Sequence, residues 1–556
     1  MKKFYKKSLY MLVAGALVAS CADYNSLDGF QAEPDPTASL PYTEYDAIKS
    51  YIDKNANPNL EIGATLDITE FNKQELSHAA VMTNFDNVSF GKSLMSGTII
   101  ADKKGLMNFI NMVDLLDHMD EIGGNIFGSP IVANANQCDE WLKALTAPLE
   151  ITVDFVPGKA VSFNDYNVGD EPCTNKASKL GKIVKYDGQN TLNLPSQSKV
   201  NIIEGFEVDP KAKYTTTFWA MCDKDNTNYK VNFSGTVVNG NATSDGKHIL
   251  PTGKWTKVTV EAQAPEGVTE GFLEIEMVRG SQMYIQKVEV GYYPDNHVEQ
   301  TPEAKSDTIM YALNSWCDGF MKINEGRIKS FDLIDEPINE AAVLESGIMD
   351  LKHSTSDVIF WQDILGSENY APTVAKITRE KFAEYGGNLD ELKLFISETG
   401  LENPTKMQSL NEWIKIWDAN GAKIDGITAK VNLVYYEDQA KQDECKAAYE
   451  ALLDNLAKTG KLIRLANFDI KYTDADNLNV TTVKITDEQR QKLADFNAYA
   501  IKAYMSRIPK DKQAGIVKNT LVDGADPVGL WTKSGKSSDW VRNATYAAWC
   551  DALSGK

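Results

Sequence analysis

Carboxylates at the ends of β-type runs are the groups in this chain best placed to do chemistry. Asp335 and Glu336 close the run Ser330-Phe-Asp-Leu-Ile-Asp-Glu336, Glu398 follows Leu392-Lys-Leu-Phe-Ile-Ser397, and Asp469 falls inside Leu462-Ile-Arg-Leu-Ala-Asn-Phe-Asp-Ile470. A carboxyl so placed transfers a proton or attacks an electrophilic carbon when a second group of matched pKa faces it; otherwise it is a plain salt-bridge partner. Glu336 is expected in a pocket, because parallel barrels gather functional side chains at the C-terminal ends of their strands. Asp335 should point the other way, since neighbouring strand residues face opposite sides. Other chemistries are poorly supplied. The seven Cys show no C-x-x-C spacing and the five His are widely separated, so no metal site and no cofactor is expected. Gly535-Lys536-Ser537 lacks the upstream glycine and the strand of a phosphate loop.

The elements that must position these groups alternate in type. Glu61-Ile-Gly-Ala-Thr-Leu-Asp67, Asn87 to Leu94 and Gly124-Asn-Ile-Phe-Gly-Ser-Pro-Ile-Val132 read as strands separated by helical patterns. The same texture resumes with a helix over Glu303 to Ile323, the three runs named above, Gly426-Ile-Thr-Ala-Lys-Val-Asn-Leu433 and Gly515-Ile-Val-Lys518. Eight strands with intervening helices predict an α/β fold, a (β/α)8 TIM barrel. From about residue 150 to 297 the texture is instead short alternating strands between turn residues, such as Tyr214-Thr-Thr-Thr-Phe-Trp-Ala220 and Trp255-Thr-Lys-Val-Thr-Val-Glu261. That spacing predicts an all-β sandwich inserted between barrel strands 3 and 4, leaving barrel segments at 42–149 and 298–556.

The N-terminus carries an address. Lys2, Lys3, Lys6 and Lys7 precede the apolar run Leu9 to Ala19, then Ser20 and Cys21. That is an export signal over 1–20, too short to span a bilayer. Val18-Ala19-Ser20-Cys21 resembles a bacterial lipobox, which implies lipidation of Cys21, a tether over 21–41, and anchoring to a bacterial (outer) membrane at the cell surface. Lys and Arg number 57 against 78 Asp and Glu, a net charge of −21, which argues against a nucleic-acid partner.

Phe331-Asp332-Leu333-Ile334-Asp335-Glu336 resembles the W-D-V-V-N-E strand that carries the acid/base of family 10 glycoside hydrolases, chiefly endo-β-1,4-xylanases. Phe85-Asp-Asn-Val-Ser89, Gly128-Ser-Pro-Ile-Val-Ala-Asn134, Gly426 to Leu433 and Leu465-Ala-Asn-Phe-Asp-Ile470 match further strands of that family in order, over about Leu60 to Ala552. The resemblance implies that Glu336 is the acid/base and that the nucleophile belongs at Asn467. An amide there cannot form a glycosyl ester, and retaining hydrolysis needs two carboxyls about 5–5.5 Å apart. The family's sugar-gripping shell is also changed. Gly91 and Lys92 stand for an E-N pair, Met95 for a Lys, Ser129 and Ala133 for a His and a Trp, and Asn134 and Asn432 for two His. Asp335 replaces an Asn and Asn519 a Trp.

The expectation is a family-10-like protein that binds xylan or a related β-glycan with lost or weak hydrolysis, its contacts drawn from Lys92, Asn134, Asp335, Glu398, Asn432, Asp469 and Trp531. Two alternatives stand beside it. One is an active endo-glycosidase in which Glu398, Asp469 or, less readily, Asp335 supplies the second carboxylate; the other is a structural subunit of a glycan-uptake assembly. The inserted sandwich resembles a carbohydrate-binding module. Its Trp219 and Trp255 are expected in the core, and Tyr229 and Tyr292 on loops. Trp531, in a Gly/Ser-rich loop after the last strand, is the preferred sugar platform over Trp540.

Overall fold

The computed structural model describes residues 41–174, 181–224, 227–239, 248–355, 357–534 and 539–556. The export signal, Cys21, nearly all of the tether and the 535–537 triplet lie outside the described residues. Two compact units divide the chain, one broken after Ala147 and resumed at Thr301, the other formed by Pro148–Gln300.

In the first unit, eight strands pair in chain order, every neighbour parallel: β1 (Glu61–Thr65), β2 (Asn87–Ser89), β3 (Asn125–Gly128), β4 (Ser330–Asp335), β5 (Lys393–Thr399), β6 (Gly426–Lys430), β7 (Leu462–Ala466) and β8 (Gln513–Lys518). β8 pairs back to β1, Glu61 opposite Gly515, so the sheet closes into a barrel. These are the eight strands expected, but several end sooner. β7 stops before Asn467 and β2 before Gly91, at residues whose φ of 54° and 48° turns the chain out of extended geometry. The third run splits at Ser129–Ile131, and Val132–Ala133 then pairs with β4 on its own.

Helices follow the strands in turn: α1 (Leu76–Asn84), α2 (Ile110–Ile122), α3 (Pro302–Asn324), α4 (Ser367–Glu384), α5 (Pro404–Ala419), α6 (Gln439–Lys458), α7 (Asp487–Arg507) and α8 (Ala544–Leu553). Their starts are written in the sequence. Thr301 caps α3 by accepting from the Ala304 N–H, with Pro302 in its first turn, and Thr486 with Gln489 forms a capping box on α7. Outward strand residues such as Phe331, Leu333, Ile396, Ile463 and Leu465 pack with Trp316, Leu410, Leu453 and Tyr504 from the helices in one continuous apolar core. The inward positions between them are polar: Asp332, Thr428 and Arg464.

The second unit is inserted between β3 and β4 in the chain. One antiparallel sheet runs Thr256–Ala262, Lys213–Met221, Met283–Tyr293, Gln189–Leu194, Lys182–Tyr186, with Val156–Ser162 also on Met283–Tyr293. The other runs Thr236–Val237, Thr227–Phe233, Glu270–Met277, Lys199–Glu207, with His248–Leu250 on Thr227–Phe233. Phe218, Val231, Leu273, Ile275 and Val288 fill the space between the sheets. Four aromatics differ from expectation here: Tyr292 lies within the strand Met283–Tyr293 and not on a loop, and Trp255 is half-buried outside the core. Tyr229 is a buried core residue on Thr227–Phe233, because the alternation of that strand turns it inward. Trp219 is half-buried on the opposite side of its strand from Phe218 and Ala220.

The remaining chemistry-bearing groups are quiet. The six described cysteines are free thiols. His78 on α1 and His118 on α2 meet with their Nε2 atoms 3.0 Å apart, a proximity their sequence separation hid. Among the described residues no third metal-ligating side chain joins them, and no helix is long and apolar enough to cross a membrane.

Candidate functional site

At the C-terminal ends of the strands a cleft of about 300 Å³ is lined by Asp332, Asp335 and Glu336 from the β4 end, Lys430 from β6, and Arg464 and Asn467 from the β7 end. Thr65, Lys92 and Asn519 line both this cleft and an adjoining pocket of about 390 Å³ that also holds Asp67, Glu70 and Trp540.

Glu336 sits one residue beyond β4 with φ 48°, and Asn467 one beyond β7 with φ 54°. Left-handed backbone at a non-glycine residue is strained, and such residues cluster where a side chain must be aimed. The Glu336 N–H donates to the Ser397 carbonyl at 2.8 Å, and the Asn134 amide donates to the Glu336 and Asp335 carbonyls at 2.7 and 3.3 Å. Asn134 thus positions the end of β4 through the backbone and does not itself line the cleft.

Charge is arranged around one lysine. Lys430 Nζ donates to Asp335 Oδ1 at 2.5 Å and to Glu336 Oε1 at 3.0 Å, while Lys352 Nζ lies 3.8 Å from Glu336 Oε2. Asp335 and Glu336 therefore reach the same ammonium, contrary to the alternation expected of neighbours. A register shift between Asp332 and Ile334 and the left-handed turn at Glu336 break that alternation. Burial would raise the Glu336 carboxyl, but Lys430, with Lys352 and Lys406 behind it, outweighs burial and holds it below the usual carboxylate range. Burial likewise pulls the Lys430 ammonium down, and Asp335 and Glu336 raise it by more.

The floor of the cleft is a second charged layer. Asp332 accepts from Thr428 Oγ1 at 2.6 Å, and burial pushes its pKa up to about 6 against the opposing pull of Arg464. Arg464 lies with its guanidinium carbon 3.6 Å from the Phe127 ring centroid and donates to Ser89 Oγ at 2.9 Å. Burial draws its pKa down to about 10, partly offset by Asp332. Lys430, Lys352, Arg464 and Asp332 were not singled out from sequence, although three of them stand within runs already named. A charged residue inside an otherwise apolar strand is the available signal, because the barrel interior is where it must go.

Several expected contacts fall elsewhere. Glu398 is fully buried away from the cleft, accepting from the Ile338 and Thr399 N–H groups and pairing with Lys406 at 3.0 Å. Asp469 pairs with Lys518 at 2.6 Å and accepts from the Asn519 and Thr520 N–H groups. Neither lines the cleft. Asn432 lines a separate pocket with Glu402 and Tyr436. Trp531 is fully buried against Tyr546 of α8, because the hairpin Trp531–Lys533/Trp540–Arg542 folds it beneath the loop; Trp540 is the aromatic on the adjoining pocket. Every carboxylate lining the cleft comes from the end of β4, and Asn467 occupies the β7 wall.

Residues 293–525 match the model of the Glycosyl hydrolase family 10. That match takes in β4 to β8 of the barrel. Xylanase B from Clostridium stercorarium F9 matches at 12% identity, with 91% of this chain and 100% of that chain covered and a TM-score of 0.50. Xylanase10C from Cellvibrio japonicus gives 11%, 94%, 75% and 0.52 for the same quantities. A further structure, solved in complex with xylotriose, gives 10%, 91%, 100% and 0.50. At these identities the likeness is one of fold. No curated protein matches the chain.

Proposed function

We propose that this family 10 barrel binds a xylan-type β-glycan and has lost the retaining hydrolysis of a xylanase. The observation that carries this reading is the composition of the cleft wall. Double displacement needs a carboxylate to attack from one side and a protonated carboxyl to donate from the other. Here Asn467 supplies an amide where the attack would come from, and the carboxylates are confined to the end of β4. Lys430 holds the Glu336 carboxyl below the usual carboxylate range, which works against its serving as the proton donor. The binding surface remains: an open cleft continuous with a pocket bearing Trp540, whose indole offers an apolar face to a pyranose. Anchored through Cys21, such a protein would hold polysaccharide at the membrane surface.

Isothermal titration of xylohexaose into the protein, paired with a reducing-sugar assay on xylan, tests this. Binding heat without turnover is expected. Turnover that disappears in Glu336→Gln would overturn the reading, and the absence of heat with any β-1,4-glycan would favour a purely structural role.

A further inference from the structure

The chain leaves the end of β4 through a hairpin, Ile338–Val343 with Met349–Leu351, and reaches α4 by way of a short helix, Trp361–Leu365. The base of the hairpin is tied to the cleft. The Lys352 N–H donates to the carbonyl of Pro337, one residue past Glu336, at 2.9 Å, and the Lys352 carbonyl accepts from Gln362 Nε2 at 2.6 Å. Lys352 Nζ lies 3.8 Å from Glu336 Oε2. Whatever fixes the backbone at Lys352 therefore fixes a cation beside a cleft carboxylate.

His353, the next residue, lies between two carboxylates. Its Nδ1 is 2.5 Å from Asp363 Oδ1 on the short helix, and its Nε2 is 3.0 Å from Asp350 Oδ2 on the hairpin. The other oxygen of each carboxylate is also engaged: Asp350 Oδ1 accepts from the Leu351 N–H at 2.7 Å, and Asp363 Oδ2 accepts from the Ser354 N–H. An ionised carboxylate only accepts, so both ring nitrogens must donate, and only the imidazolium carries two N–H groups. A neutral ring keeps one of the two bonds and turns a lone pair toward the other carboxylate. Asp363 and Asp350 raise the His353 pKa above its ordinary value against the effect of burial. Burial would raise Asp363, but the Ser354 N–H and His353 outweigh it and hold its carboxyl below the usual range. Among the described residues these two carboxylates are the charged groups paired with the ring; Lys352 is turned to Glu336, and the His353 side chain is otherwise 51% exposed to water.

We propose that His353 is a positioning residue of the cleft, a proton-dependent clasp that joins the hairpin to the short helix, holds Lys352 beside Glu336 and opens when the imidazolium loses its proton. The effect on glycan affinity rests on the binding reading above; the clasp itself does not. Because folding raises the His353 pKa, the contribution of the clasp is complete below the ordinary histidine value of about 6.5 and is lost as pH rises through the folded value.

Amide hydrogen exchange of the full chain, read by mass spectrometry on peptides within 337–353 and corrected for the intrinsic effect of pH, tests the clasp without a ligand. Between about pH 6 and pH 9 wild type should lose protection there roughly threefold, a modest factor because the ring is half in water. His353→Gln has no charge and cannot donate along both directions, so it should be as unprotected at the lower pH as wild type is at the higher, with no step between. His353→Arg keeps a permanent cation with several donors and should stay protected at both. Titration with xylohexaose reads the cleft: affinity should fall severalfold over the same range in wild type and stay level in His353→Arg. A wild-type exchange profile without the step, or the same step in His353→Gln, overturns the proposal. A step in exchange with level xylohexaose affinity in wild type overturns the link to the cleft. A step in a protein that gives no heat with xylohexaose at either pH supports the clasp and counts against the binding reading instead.

Discussion

Replacing Lys430 by Gln removes the cation that Asp335 and Glu336 share. At the 3.0 Å separation from Glu336, a unit pair in an effective dielectric near 20 attracts by about 5–6 kcal/mol, a gross figure that desolvation of the partners largely offsets. Deleting one member of a buried pair typically destabilises by about 3–5 kcal/mol, because the partner is left buried and unpaired. The Lys430 and Glu336 side chains are 21% and 32% exposed, and that wetting lowers the expectation to about 2–3 kcal/mol at neutral pH. The effect has a sign in pH. Glu336 has a folded pKa below its unfolded one, so its stabilising contribution is complete above the ordinary carboxylate value and is lost as pH falls through the folded value. In the Gln variant burial acts with less opposition and favours the protonated carboxyl, so wild type and variant should converge on acidification below about pH 4.5. Urea unfolding of both proteins at pH 7.5, 5.5 and 4.0, followed by tryptophan fluorescence, measures the gap. A variant as stable as wild type at pH 7.5, or a gap that stays constant to pH 4.0, would refute the clamp.

Asn467→Glu returns a carboxylate to the β7 wall, yet should release few reducing ends from xylan while Lys430 keeps Glu336 ionised; Asn467→Glu with Lys430→Gln should exceed either single variant in the same assay. Trp531→Ala should destabilise by about 3–5 kcal/mol, as deletion of a fully buried indole does, seen as a lower urea midpoint. Trp540→Ala should leave the midpoint within about 1 kcal/mol and weaken xylohexaose binding several-fold by titration. Glu398→Gln leaves the buried Lys406 dependent on Glu340 alone and should lower stability by about 2–4 kcal/mol without changing glycan affinity, which separates a structural carboxylate from a binding one.

The barrel was legible because parallel strands buried on their outer face read as apolar runs at regular intervals, and all eight appear. Strand ends were not, since nothing local announces that Asn467 or Glu336 will adopt positive φ. Glu336 and Asn467 were found by likeness to family strands. Lys430 and Arg464 were passed over because they stand inside runs scored for their apolar members, where each supplies the charge of the barrel's interior. Trp531 misled for the opposite reason. Its Gly/Ser-rich surroundings signalled an exposed loop, but a short hairpin turns the indole into the core beside Tyr546. Local composition reports the backbone's freedom and says little about which side of it is wet.

Asn467 and Lys430 act on Glu336 in the same direction. A carboxylate facing Glu336 would raise its pKa by like-charge repulsion and so help keep it protonated as a donor; an amide at 467 removes that influence. Lys430 then adds an attraction of opposite sign, which favours the charged form further. The amide also suits its backbone, since Asn is among the residues that enter the left-handed region most easily and Glu is not. On the proposed reading, an amide in place of an attacking carboxylate, a Glu336 carboxyl held toward its charged form and a left-handed position that Asn accepts more readily than Glu are three consequences of two side chains, beside the pocket that Trp540 and Lys92 line. On the proposed reading such a barrel gives up bond breaking at its centre and keeps a surface on which a chain of sugars can lie.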